Sequence, residues 1–339
     1  MNKLLNFGFV GTGMIANVIA KAIKGCEDAN LVAVASRRKE SADAFAQIHG
    51  VKTVFDHWEQ LVASDMIDAV YICTPTSVRE TVAIEAAKNK KHVLAEKPFA
   101  SLGSVQRIVD ETKKNKVAFM DATHFVHHPR TKKLQADIND KIGMVKAIRT
   151  CFFFPSMDRA NIRFDKKKEP TGAIGDMAWY SMRAITEYMK DLAELKDLKA
   201  AVERDDETGA IIRGAGVAIF EDGKTSTFDF GYNAGVCLMD LDILGTHGMV
   251  HMDDFVLDWA HGFVFDNPEF KVGYTIREKM MTPNQFKYVS IQNKLPQTVH
   301  MIQDFVALTK NSMGKAVAQS INITLQTQNL LDHLWVDVK

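Results

Sequence analysis

Residues 4–10 form a short apolar run, Gly11-Thr12-Gly13 breaks it, and a helical pattern follows at once from Met14 to Lys24. Ile15, Val18, Ile19, Ala22 and Ile23 share one side of that helix. A strand that passes through a glycine turn into a helix restricts the fold severely, because it opens a strand–helix–strand crossover. Gly11-Thr12-Gly13-Met14-Ile15-Ala16 fits G-x-G-x-x-A. The first glycine permits the tight turn, the second lets backbone approach a pyrophosphate, and the small third residue lets helix and strand pack closely. The helix N-terminus then offers unpaired N–H groups and a positive dipole end to phosphates. In this context the turn predicts a dinucleotide site.

The following segments keep the rhythm. Apolar strand-like runs at 31–36, 67–73, 92–95 and 117–120 alternate with helical stretches at 41–49, 79–89 and 104–114. Such alternation implies parallel pairing through right-handed crossovers, with a ligand at the carboxyl ends of the strands. After about residue 123 the pattern changes. Residues 144–154 partly alternate, and 215–220 and 225–232 flank Glu221-Asp222-Gly223-Lys224, a hairpin signal. Residues 236–244 and 249–252 repeat this around Gly245-Thr246-His247-Gly248, and helices are expected near 176–190 and 299–310. The expected fold is α/β: an N-terminal Rossmann domain with a parallel sheet over residues 1–123, and an α+β domain with a mostly antiparallel open sheet over residues 124–339. The second domain is expected to bind substrate and to carry a dimer surface.

A length of 339 residues suits two domains. The 42 basic and 42 acidic side chains cancel, which argues against a nucleic-acid partner. Cys26, Cys73, Cys151 and Cys237 are far apart and form no C-x-x-C pair, as expected of buried thiols in a reducing compartment. No segment reads as a signal peptide or a membrane span, so the expected location is cytoplasmic, with no membrane partner.

The second strand ends Ala35-Ser36-Arg37-Arg38. An NAD site usually places a carboxylate there for the ribose 2′-hydroxyl, whereas serine and two arginines would donate to a 2′-phosphate. NADP is therefore expected over NAD. The strand at 92–95 delivers Glu96 and Lys97 to the carboxyl edge of the sheet, and Pro98 stops further pairing. A lysine in that crevice would polarise a substrate oxygen; read alone, it is also an ordinary strand-end lysine. Asp176 and Tyr180 are four apart, on one face of the expected helix, with Asp176 at its N-cap or first turn. A carboxylate and a phenol so placed suit a polyol or carbonyl substrate, and a nearby Lys97 would lower the phenol's pKa. The same segment also reads as a capping Asp with a core Tyr. His124, His127 and His128 lack a carboxylate or cysteine at ligand-like spacing, so no metal is expected. His124 instead follows the last strand of the first domain, where nicotinamide or substrate would lie, and Arg163 precedes Asp176 closely enough to hold cofactor or substrate.

Together these residues resemble the Gfo/Idh/MocA family of oxidoreductases, named for glucose-fructose oxidoreductase and inositol dehydrogenase. The turn at 11–16, Thr74-Pro75, the Glu96-Lys97-Pro98 triplet and the segment 172–180 come in that family's order. The resemblance implies that Lys97 is catalytic, that Asp176 is the aspartate of the second-domain motif, and that Tyr180 stands where many members carry histidine. A tyrosine there is similar to glucose-fructose oxidoreductase and the dimeric dihydrodiol dehydrogenases, in which it is the proposed proton donor. Thr76 and Arg79 replace the family's asparagine and histidine after Thr74-Pro75, Thr171-Gly172-Ala173 replaces its glycine-rich lead, and Ala178 replaces a glycine. The expected catalytic residues are Lys97, Tyr180 and Asp176. The expected cofactor contacts are Gly11, Thr12, Gly13, Met14, Ile15, Ser36, Arg37, Arg38, Thr74, Pro75, Glu96, Lys97, His124 and Arg163. The implied activity is NADP-dependent hydride transfer to or from a sugar-like or dihydrodiol-like small molecule, by a homodimer or higher homo-oligomer. The alternatives are an NAD-dependent sugar or polyol dehydrogenase and a non-catalytic NADP-binding sensor; a sensor needs neither Lys97 nor Tyr180.

Overall fold

The computed structural model describes residues 3–189, 191–261, 263 and 265–339. Two compact units divide the chain: the N-terminal part to Thr123 with Thr298–Leu325, and His124–Gln297 with Gln326–Lys339.

In the first unit the strands are β1 (Leu5–Val10), β2 (Ala29–Ala35), β3 (Thr53–Phe55), β4 (Ala69–Ile72), β5 (His92–Ala95) and β6 (Phe119–Asp121). They form one six-stranded sheet in the order β3-β2-β1-β4-β5-β6. Every pairing in it is parallel. The crossovers carry α1 (Met14–Lys24), α2 (Lys39–His49), α3 (Trp58–Ala63), α4 (Thr76–Lys88) and α5 (Leu102–Lys114). The order reverses between β1 and β4, which is the arrangement that opens a crevice at the carboxyl ends of those two strands. β3 and α3 escape the sequence pattern because β3 is a three-residue, half-buried edge strand.

The segment 298–325, expected with the second domain, groups with the first unit. Helix α8 (Gln297–Thr309) presents Val299, Ile302, Phe305 and Val306 at helical spacing. That stripe completes the core containing Phe7, Phe9, Ile19, Ile23 and Tyr71. The rings of Phe305 and Phe7 meet with centroids 5.7 Å apart.

The second unit carries α6 (Pro129–Asp137), α7 (Trp179–Tyr188) and eight strands. These are β7 (Val145–Phe153), β8 (Leu195–Arg204), β9 (Ile211–Phe220), β10 (Thr225–Gly231), β11 (Leu238–Gly245), β12 (Gly248–Met252), β13 (Gly273–Glu278) and β14 (Lys287–Ser290). Their order is β14-β13-β12-β11-β7-β10-β9-β8, and only β7 with β10 runs parallel. Alternation turns Ile148, Phe152, Phe228, Phe230, Leu241 and Ile243 into the core beneath α7. The opposite face keeps Ala147, Cys151, Asp229, Asp240 and Asp242 half-buried, so the sheet is open on one side.

The longest helix, α9 (Lys315–Val338), has no counterpart in the sequence reading. Its buried stripe is interrupted by Thr324, Thr327 and Gln328, which hide the apolar period. The Thr324 hydroxyl donates to Asp121 Oδ2 at 2.5 Å. Strand β8 also escapes, because its charged residues leave Leu198 as its one fully buried position. Among the described residues no helix is long and apolar enough to cross a membrane.

Phe305→Ala should remove a fully buried ring from the first unit's core and cost about 3–5 kcal/mol. Urea unfolding followed by hydrogen exchange checks it. Loss of protection confined to the second unit, with β1 and α1 unaffected, would contradict the packing described.

Candidate active site

Gly11 takes a φ of +112°, and a Cβ there would sit 2.8 Å from Cys73 Sγ and 2.9 Å from the Cys73 carbonyl oxygen. Glycine is required by both conformation and space. Gly13 differs. It is the N-cap of α1 with an ordinary φ of −71°, and a Cβ on it would meet no protein atom within 4 Å. Protein packing does not require glycine at 13, whereas a pyrophosphate drawn against the backbone of this helix N-terminus does. Ala16 is fully buried, as the close helix–strand contact needs. The turn therefore fits a dinucleotide on its own geometry.

The end of β2 meets that turn: Thr12 Oγ1 donates to Ser36 Oγ at 3.2 Å. Arg37 and Arg38 follow, both exposed. Thr74 and Pro75 lie between β4 and α4, with Pro75 as the N-cap of α4.

Lys97 leaves β5 half-buried, and the backbone on either side of it is tied down. Before it, Glu96 is buried and its Oε1 accepts a 2.6 Å bond from the buried Tyr71 phenol. Burial pushes the Glu96 carboxyl up, against the opposing pull of the Tyr71 phenol, Lys97 and Arg79. Glu96 is thus placed to hold the strand end, with Oε1 directed at the phenol. After Lys97, the Pro98 carbonyl accepts from Arg79 Nη1. Arg79 Nη2 also donates to the Thr74 carbonyl at 2.6 Å. Arg79, buried at the place where the family's histidine was expected, therefore ties the turn after β4 to the turn after β5. Sequence reasoning noted Arg79 only as a departure and did not single out Tyr71.

In the second unit the helix expected near 176–190 begins at Trp179, and Asp176 lies in a π-helical turn before it, Ile174–Ala178. Asp176 is therefore not the N-cap. Its Oδ2 accepts from Arg163 Nε at 2.5 Å and from the Tyr232 phenol at 3.3 Å. The carboxylate holds the Arg163 guanidinium more firmly protonated than usual, while burial first and Asp176 second push the Tyr232 phenol up. Arg163, expected at the cofactor, is placed by this ion pair beside Asp176 in the second unit. The lead into the turn needs glycine at one point: Gly172 has a φ of +51°, and a Cβ there would lie 2.5 Å from the Ile211 carbonyl oxygen.

Tyr180 sits on the first turn of α7, only 6% exposed. Phe152 of β7 meets its ring edge-on at 5.3 Å, and Phe125 lies 6.1 Å away. Its hydroxyl is 2.9 Å from His124 Nε2. His124 is itself buried, with Gln297 Nε2 at 2.8 Å from its Nδ1. Gln297 carried no recognisable signal in the sequence. His128 is engaged elsewhere, capping α6 through Nδ1 and facing Asp258 through Nε2 at 3.4 Å. Among the described residues no group of three His, Cys, Asp or Glu converges as metal ligands. A depression of about 300 Å³ bounded by His251, Asp253, Tyr274 and Tyr288 holds none of the candidate residues.

Gly13→Val should leave the fold intact, since a Cβ there meets no protein atom within 4 Å, yet abolish dinucleotide binding by occupying the phosphate's place. Unchanged thermal unfolding with at least about 100-fold weaker cofactor binding, roughly 2.7 kcal/mol, is the expected result of calorimetric titration. Retained affinity would contradict the assignment of the turn.

The chain is 34% identical over 144 residues to the scyllo-inositol 2-dehydrogenase (NADP(+)) of Bacillus subtilis, a match covering 42% of this chain and 44% of that protein. It is 31% identical over 186 residues to the trans-1,2-dihydrobenzene-1,2-diol dehydrogenase of Xenopus laevis, covering 53% of this chain and 55% of the relative. These matches span about half the length of each relative. A 3-ketoreductase from Actinomadura kijaniata, crystallised with NADP and TDP-benzene, shares the fold with a TM-score of 0.86 at 20% identity, over 99% of this chain and 98% of that one. Residues 5–123 match the oxidoreductase family with an NAD-binding Rossmann fold, and residues 132–251 match the same family's C-terminal domain. The chain belongs to the Gfo/Idh/MocA family of oxidoreductases, matched in both its NAD-binding Rossmann domain and its C-terminal domain.

Proposed function

We propose that the chain is an NADP-preferring oxidoreductase that moves hydride between nicotinamide C4 and a carbonyl or carbinol carbon of a sugar-like or dihydrodiol-like small molecule. The observation that carries the cofactor choice is the hydrogen bond from Thr12 of the glycine turn to Ser36, with exposed Arg37 and Arg38 next in the chain. No carboxylate stands at the end of β2 to accept from a ribose 2′-hydroxyl or to repel a 2′-phosphate. The substrate class is supported by the relatives, one named for scyllo-inositol and NADP(+) and one for trans-1,2-dihydrobenzene-1,2-diol.

The bound reduced nicotinamide supplies the hydride. This chain's residues do the rest. Tyr180 donates its phenolic proton to the substrate oxygen, and the Lys97 ammonium stabilises charge developing on that oxygen. Asp176, held by Arg163 and Tyr232, orients the substrate's hydroxyl groups. In the oxidative direction the same groups act in reverse.

The four cysteines are unpaired, which supports a reducing, cytoplasmic setting. The open face of the second unit's sheet, with Ala147, Cys151 and Val217 among its half-buried residues, is the proposed homodimer surface. Light scattering that gives a monomer mass at micromolar concentration would contradict the dimer.

Arg37→Ala should weaken NADPH binding by about 1.5–3 kcal/mol through loss of a charge-assisted contact, with NADH little affected. Parallel titrations with both cofactors check it, and equal loss for both would contradict the NADP reading. A panel of sugar ketones, inosones and dihydrodiols, run with NADPH and NADP, tests the substrate class; absence of turnover on every member would contradict it.

A further inference from the structure

Burying a tyrosine hydroxyl requires a partner, and the partner's protonation decides what the phenol can do. Here the partner is His124, and its tautomer follows from a third residue. Gln297 is almost completely buried and its Nε2 lies 2.7 Å from the Val256 carbonyl oxygen. A carbonyl only accepts, so the amide is oriented with its NH2 group towards Val256; the flipped amide would set two acceptors against each other. The second hydrogen of that NH2 group points at His124 Nδ1, 2.8 Å away. An amide nitrogen does not accept, so Nδ1 must, and the imidazole proton sits on Nε2. The Nε2–H is 2.9 Å from the Tyr180 hydroxyl oxygen and donates to it.

We propose that Gln297 and His124 are positioning residues that set the direction of proton flow at Tyr180. The proposal rests on the reading above in which Tyr180 is the proton donor. His124 donates into the phenol oxygen, so the phenol's own hydrogen points away from Nε2. When that proton moves to the substrate oxygen, the phenolate left behind keeps a hydrogen bond from His124 Nε2–H. His124 stays neutral throughout, because a proton on Nδ1 would face the Gln297 NH2 group. Phe152 of β7 and Phe125 offer carbon rings, and Asp176, before α7, is engaged by Arg163 and Tyr232. Phe263 packs on the His124 ring at 5.0 Å, and the neighbouring His128 is engaged with Asp258 and Asn293.

Two measurements on the full chain test this. The first is 15N NMR of the histidine-labelled protein near neutral pH, with the His124 signals assigned by their loss in His124→Gln. The Nε2–H tautomer is expected in the wild type, and both tautomers in Gln297→Met. A wild-type Nδ1–H tautomer or an imidazolium would overturn the proposal whatever the activity. The second is kcat against pH. His124→Phe keeps the ring packing but removes the donor. Its kcat should fall about tenfold and the limb assigned to Tyr180 should move up about one pH unit, as for one lost hydrogen bond to an ion. His124→Gln, which restores an N–H near the Nε2 position, should recover the wild-type limb. Thermal unfolding confirms that the variants are folded. A Tyr180→Phe enzyme that is impaired beside a His124→Phe enzyme with an unshifted profile would overturn the relay alone. Wild-type kcat in Tyr180→Phe would overturn the acid reading and the relay together.

Discussion

The parallel pairing of β1 with β4 is the constraint on which the first unit depends. Val10 pairs with Ile72 at the end of that ladder, and the chain then leaves β1 towards α1 and β4 towards α4. Neighbouring parallel strands whose connections diverge must leave a crevice between their carboxyl ends. The contact that closes its floor is Gly11 against Cys73, so near that no side chain fits on Gly11. From this one approach follow the tight turn, the exposed N-terminus of α1 and the meeting of Thr12 with Ser36. The next strand, β5, brings Lys97 to the same edge of the sheet, with Arg79 and the Tyr71–Glu96 bond fixing its backbone.

The second unit solves a different problem, which is to keep polar groups usable inside an aromatic environment. Tyr180, Tyr232 and His124 are all buried among rings, where an unsatisfied polar atom is costly. Each is given a specific partner: Tyr232 donates to Asp176, and His124 bridges Gln297 and Tyr180. Asp176 and Tyr180 are close in sequence and bond different partners, Arg163 and Tyr232 for the carboxylate and His124 for the phenol. The π-helical turn at Ile174–Ala178 accommodates this by turning the chain between them.

What the sequence made legible was local. Gly11-Thr12-Gly13 and the alternation of strands and helices carry their physical meaning within a few residues, so the parallel sheet and the glycine turn could be read directly. Lys97 and Tyr180 also read as an ordinary strand-end lysine and a core tyrosine, and it was the resemblance to the Gfo/Idh/MocA family that singled them out. The parts that were not legible depend on distant partners. Gln297 lies 173 residues from His124 and is an unremarkable amide in the chain. Arg79 reads as a helix cation until its bond to the Pro98 carbonyl is seen. Helix α9 was hidden because Thr324 and Thr327 occupy its buried stripe, their hydroxyls satisfied by Asp121 and Thr186 respectively. The placement of α8 in the first unit's core was equally invisible, since an apolar stripe does not say which surface it covers.

The central proposal is that Tyr180 and Lys97 act on one substrate oxygen as a single proton-transfer unit. The direct measurement is a double-mutant cycle on kcat with Tyr180→Phe, Lys97→Met and the combined variant, with cofactor affinity determined separately. Tyr180→Phe should lower kcat by about 10²–10⁴-fold with cofactor binding unchanged. The combined variant should be little worse than the worse single variant, because groups that act as one unit are not additive. Losses that multiply in the combined variant, or a Tyr180→Phe enzyme with wild-type kcat, would contradict the account.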